Sequence, residues 1–171
     1  MIHPTATELL QTIDATIAEK IEPALGDNLT GKSALATVRH LLRLIRIRIE
    51  LEGQILSDDI DRLGPLLADV DAYLGTLPDQ DGTVTKQIAD ARSSLDPPSG
   101  YETLDQIGGR AKALREALYQ ALTHLQAIRE DHRDEPGYTA IRDAIRAYMV
   151  AENADERKMM EPAFYMQGPR R

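Results

Sequence analysis

Residues 33–56 read SALATVRHLLRLIRIRIELEGQIL, and the spacing of their apolar positions decides the fold. At about 100° per residue, Leu35, Val38, Leu42, Ile45, Ile49 and Leu56 form one face of a helix. Leu44, Ile47, Leu51 and Ile55 form a second, roughly opposite. Arg39, Arg43, Arg46 and Glu50 share the polar stripe between them. A helix that is apolar on two sides is normally a central one, covered by neighbours on both. The stretch therefore predicts the middle helix of a bundle, beginning near Ser33 and ending near Leu56.

Helical signals continue in both directions. Upstream, Thr5-Ala6-Thr7-Glu8 has the spacing of a capping box, in which Thr and Glu satisfy each other's backbone N–H groups. Leu9, Leu10, Ile13, Ile17 and Ile21 follow on one face, and Pro23 ends a helix over 5–22. Downstream, Ser57-Asp58-Asp59 resembles a helix start, with acids at the positive dipole end. Gly64-Pro65 predicts a restart or kink before Leu66, Leu67, Val70 and Leu74. A loop over 76–83 leads to a short helix over 84–94, then to the breaker Asp96-Pro97-Pro98-Ser99-Gly100. Thr103-Leu104-Asp105-Gln106 opens a long helix to about Arg129, with Gly108-Gly109 inside it, read as a site of close helix packing. Tyr138 to Met160 is the last helix, stopped by Pro162 and followed by the apolar arm Ala163-Phe164-Tyr165-Met166. Strand signals are nearly absent. The expected fold is all-α: a single-domain antiparallel helical bundle of about five to six helices spanning 1–171, with 161–171 as a C-terminal arm.

Composition narrows the function classes. With 171 residues and 42% hydrophobic content the chain can close a core without a disulfide or metal. Aromatics are 4%, so that core is aliphatic. A formal net charge of −8 disfavours general nucleic-acid binding, which uses a basic excess to neutralise phosphates. Arg or Glu interrupts every long apolar stretch, which argues against a membrane span. The start lacks the basic flank and apolar run of a signal peptide, so a cytoplasmic location is expected. No Cys is present, so there is no thiolate chemistry. The four His are dispersed and no Glu-x-x-His pair occurs, so neither a metal nor another cofactor is expected.

Three constellations bear on chemistry. Gly26, Gly31, Lys32 and Ser33 meet the pattern G-x-x-x-x-G-K-[ST] of a phosphate-binding loop. Such a loop must leave a buried strand, whereas here an amphipathic helix precedes it; a helix–helix turn with a Ser N-cap explains the same residues. Arg39, Arg43 and Arg46 form a basic stripe able to grip phosphate or carboxylate, or simply a solvated face with Glu50 as partner. Arg48 and Glu52 fall between the two apolar faces, where a charged pair forms an internal salt bridge or lines a pocket that His40 joins. These six residues, Arg39, His40, Arg43, Arg46, Arg48 and Glu52, are the candidate anionic-ligand site. Four of the five Met and three of the seven aromatics follow Ala147. That bias makes Phe164, Tyr165 and Met166 the candidate interface, since Met-rich surfaces repack around varied partners.

The opening Pro4-Thr5-Ala6-x-Glu8-Leu9-Leu10, followed by Pro23-Ala24-Leu25-Gly26, resembles a bacterial helical family of unassigned function. Its members accompany or are fused to aminoglycoside-phosphotransferase-like kinases. The resemblance covers about the first fifty residues, and Arg48-Ile49-Glu50-Leu51 stands where that family has Arg-Glu-Leu. It implies an accessory helical protein beside a kinase-like or acyl-CoA-processing enzyme. The absent catalytic sets, the two-faced helix and the apolar arm give the same expectation: a non-enzymatic accessory or scaffold protein working through protein–protein contact or as a homo-oligomer. The alternative is a binder of, or enzyme acting on, an anionic small molecule.

Overall fold

The computed structural model describes residues 3–77, 82–95 and 99–164. Every regular element among them is helical: α1 (Ala6–Thr16), a π-helical turn (Ile17–Ile21), α2 (Glu22–Ala24), α3 (Leu29–Leu74), α4 (Thr83–Arg92), α5 (Leu104–Ala127), α6 (Arg129–His132) and α7 (Pro136–Phe164). The expected all-α class holds. Contacts within the chain cluster into two compact units, one holding residues 3–53 with 155–164, the other residues 54–154.

In the first unit, α1 starts at the expected capping box. The Glu8 N–H donates to Thr5 Oγ1 at 3.2 Å and the Thr5 N–H to Glu8 Oε2 at 2.6 Å. These bonds, led by the Thr5 backbone N–H, hold the Glu8 carboxyl below its usual range. A short turn over 25–28, with Gly26 at φ +50°, reverses the chain. Arg39 then donates to Asp14 at 2.7 Å and to Glu22 at 3.1 Å, so α1 and α2 lie back along α3. Ile17, Ile47 and Ala163 are the buried apolar side chains of this unit among the described residues.

The helix expected over 33–56 is part of a longer one. It starts at Leu29, because the Asn28 side chain accepts the Gly31 N–H at 2.9 Å as an N-cap. It also runs through Ser57-Asp58-Asp59, where a new helix was expected. Ser57 and Asp58 face solvent, and Asp59 is buried as a partner of Arg115 rather than serving as a cap. Nor does Gly64-Pro65 break the helix. Pro65 removes one backbone donor, while Gly64 leaves room for Leu95, whose Cδ2 would stand 3.2 Å from an added Cβ.

The core of the second unit is aliphatic, as expected. Leu63, Leu67, Val70 and Leu74 of α3, Ile88 of α4, and Leu114 and Leu125 of α5 are fully or almost fully buried, with Ile145 of α7. Two aromatics enter it, Tyr138 and Tyr148; Tyr138 is 1% exposed and its hydroxyl donates to the Leu125 carbonyl at 2.9 Å. Tyr73 packs edge-on against Tyr138 and donates to Glu135 at 3.1 Å. α5 opens with the expected capping box between Thr103 and Gln106. Its glycines are not a close-packing site: a Cβ on Gly108 would meet only Leu56, at an ordinary 3.9 Å, and one on Gly109 would meet nothing within 4 Å. α7 continues through Pro162 to Phe164, about one turn further and with Ala163 buried, where the sequence predicted a stop near Met160.

Candidate functional site

The α3 positions 35, 38, 42, 45, 49, 56, 63, 66 and 70 keep alternating three- and four-residue steps, with Glu52 and Asp59 filling the two gaps. This is the spacing of a coiled-coil seam. Along 63–70 the seam is buried, with Leu63, Leu66 and Val70 in the core. Along 38–49 it is open: Val38 is 45% exposed, Ile45 47% and Ile49 50%. The expectation that both apolar faces of this helix are covered therefore fails on one side. Ile47, on the second face, is buried, and the first face is not.

Helix geometry explains which side is left open. Arg39 points at α1, and Ile47 falls within a quarter-turn of it; Val38, Ile45 and Ile49 fall about a quarter- to a third-turn the other way. On α1, Asp14 points at α3, and the half-exposed Ile13 and Leu9 are offset by similar angles in the same rotational sense. Because α1 runs back along α3, equal senses put both stripes on one side of the pair. Leu41, also half-exposed, borders the same side.

The six candidate ligand residues are largely committed to protein partners. Arg39 holds Asp14 and Glu22, and its hydrogen bond keeps the Asp14 carboxyl below the usual range, helped by the charges of Arg43 and Arg46. Arg48 pairs with Glu52 through one guanidinium edge, Nε donating to Oε2 at 2.9 Å and Nη2 to Oε1. Arg48 is more than half exposed, so this is a surface i,i+4 pair rather than an internal bridge. His40 is half-buried on α3 and also engaged. An anion at Arg39 or Arg48 would have to displace carboxylates already in place. Gly31, Lys32 and Ser33 sit in the first turns of α3 behind the Asn28 cap. Among the described residues no strand feeds them. Of the candidate interface, Phe164 closes α7; its side chain, Tyr165 and Met166 lie outside the described residues.

Two polar clusters in the second unit were not found from sequence. Asp59, 1% exposed, lies 2.7 Å from Arg115 Nη2 and 3.8 Å from Arg62 Nη2. The approach is close but oblique, since neither carboxylate oxygen receives an aligned N–H. Arg115 Nε reaches Glu152 at 3.3 Å. Burial pushes the Tyr148 phenol well above its ordinary range, and the Asp59 charge adds to the shift, so Tyr148 stays neutral. Arg115, Tyr148 and Glu152 edge a groove of about 140 Å³ whose remaining walls are Leu118, Tyr119, Leu122, Ile145 and Met149. The second cluster is Arg110, which donates to Glu102 at 2.7 Å and to the Leu95 carbonyl at 2.8 Å. It fastens the chain leaving α4 to the start of α5.

Among the described residues no three His, Asp or Glu converge as a metal site, and no helix is long and apolar enough to cross a membrane. Comparison with protein-family models, with curated proteins and with solved structures finds no match.

Proposed function

We propose that this chain is a non-enzymatic helical protein that works through protein–protein contact, docking by the open apolar side of α1 and α3. The half-exposure of Val38, Ile45 and Ile49, three of the four seam positions over 38–49, carries the reading. Contiguous apolar patches of several hundred Å² are characteristic of interaction surfaces. The alternative of an anionic ligand on the arginine stripe is weakened by the carboxylates that already hold Arg39 and Arg48. The kinase-associated helical family that the first fifty residues resemble is compatible with an accessory role.

The test is site-specific photo-crosslinking in living cells. A photoreactive residue at Val38 is expected to form covalent adducts with protein, while the same residue at exposed Glu116 of α5 does not. Adducts from neither position, or equally from both, would remove the proposal.

A further inference from the structure

We infer that the partner seated on the open side is a second copy of this chain; the inference rests on the protein-contact reading above and names its partner. A two-fold contact places one patch against itself, so the patch must be self-complementary in shape, area and charge.

Shape follows from the seam. Val38, Leu42, Ile45 and Ile49 keep the three–four spacing with which like helices interlock side chains, and Leu9 and Ile13 of α1 widen the stripe. Two such helix pairs facing one another make a four-helix bundle, the simplest arrangement that buries all four stripes.

Area agrees. Six half-exposed aliphatic side chains (Leu9, Ile13, Val38, Leu41, Ile45, Ile49), each showing on the order of 90 Å², offer about 500 Å² of apolar surface. That is the apolar share, about three-fifths, of the roughly 800 Å² that each member of a stable pair buries.

Charge does not oppose a copy. Asp14 and Glu22 are paired with Arg39 within the chain, and Glu8 is turned away from Ile13 and Leu9 on α1. Lys32, Arg43 and Arg46 share the side of α3 that Arg39 turns towards α1. The open stripe of Val38, Ile45, Ile49, Ile13 and Leu9 is therefore itself uncharged, and two copies meet across it without setting like charges face to face.

The experiment is the mass of the purified full chain in solution by light scattering and sedimentation equilibrium, from micromolar concentrations upward. The expected result is twice the 19.0-kDa chain mass. Ile45→Glu is expected to bring it to the single-chain value with helicity and cooperative melting unchanged, because Ile45 is not in either unit's buried set. Val38→Lys is the independent second variant, and Glu116→Lys, away from the patch, keeps the doubled mass. A wild-type chain that stays at single mass throughout, or a doubled mass indifferent to both patch variants, overturns the inference. A single-mass chain that still yields photo-adducts from Val38 overturns only the second copy; a single-mass chain without adducts overturns the protein-contact reading as well.

Discussion

Arg115 Nη2 stands 2.7 Å from Oδ2 of Asp59, a carboxylate 1% exposed and 56 residues earlier in the chain. A charge so placed is tolerable only while its counter-charge stays. Removing one member of a buried pair typically costs about 3–5 kcal/mol, because the other is left uncompensated. Arg115→Met is therefore expected to lower unfolding free energy by about 3 kcal/mol in urea titration. Asp59→Leu combined with Arg115→Met should recover most of that loss. A double variant as unstable as the single one would show that the pair itself was not the cause.

Tyr73 gives the molecule an alkaline limit. Burial first, and then the hydrogen bond and charge of Glu135, push its phenol up from 10.0 to about 12. A group whose folded-state value is raised contributes stability that is complete below the unfolded value and lost as pH rises through the folded one. The wild-type advantage over Tyr73→Phe should therefore be constant below about pH 10 and shrink between pH 10 and about 12, measured by chemical denaturation at each pH. An advantage that grows over that interval would reverse the assignment.

The glycines of the second unit should respond in opposite directions to alanine. At Gly109 a Cβ meets nothing, so Gly109→Ala should add about 1 kcal/mol of stability from helix propensity. At Gly137 a Cβ would lie 3.0 Å from the Tyr73 ring, and Gly137→Ala should destabilise by displacing it. Melting temperatures that move together would contradict this pairing.

The phosphate-loop spelling at 26–33 should behave as a cap. Asn28→Ala is expected to cost about 1 kcal/mol by leaving the Gly31 N–H without its acceptor. Lys32→Ala should change melting little, and millimolar ATP should raise the melting temperature of neither variant nor wild type. An ATP-dependent increase lost in Lys32→Ala would restore the nucleotide reading.

What was legible in the sequence was whatever is written locally. The capping boxes at Thr5 and Thr103 follow from spacing within a few residues of chain, and the structure has them where the spacing puts them, while the mainly aliphatic core follows from the scarcity of aromatics. What was illegible depended on a distant partner. Ser57-Asp58-Asp59 has the local chemistry of a helix start, and only Arg115, brought up by another helix, turns Asp59 into a buried anion in mid-helix. Arg110 was hidden for the same reason: its acceptors are the Leu95 carbonyl and Glu102, which a one-dimensional pattern does not join. The two apolar faces of residues 35–56 were visible, but which one stays open is set by Arg39 finding Asp14.

The first unit draws on residues 3–53 and 155–164, whereas the second is one uninterrupted stretch. On the ribosome, where domains ordinarily form in the order they emerge, that order is inverted here. The middle of the chain has all its parts once residue 154 is out. The first unit stays incomplete until the final stretch of α7 is released. Nascent chains stalled before residue 155 should therefore recruit chaperones through residues 3–53, and premature termination there should damage that segment more than residues 54–154.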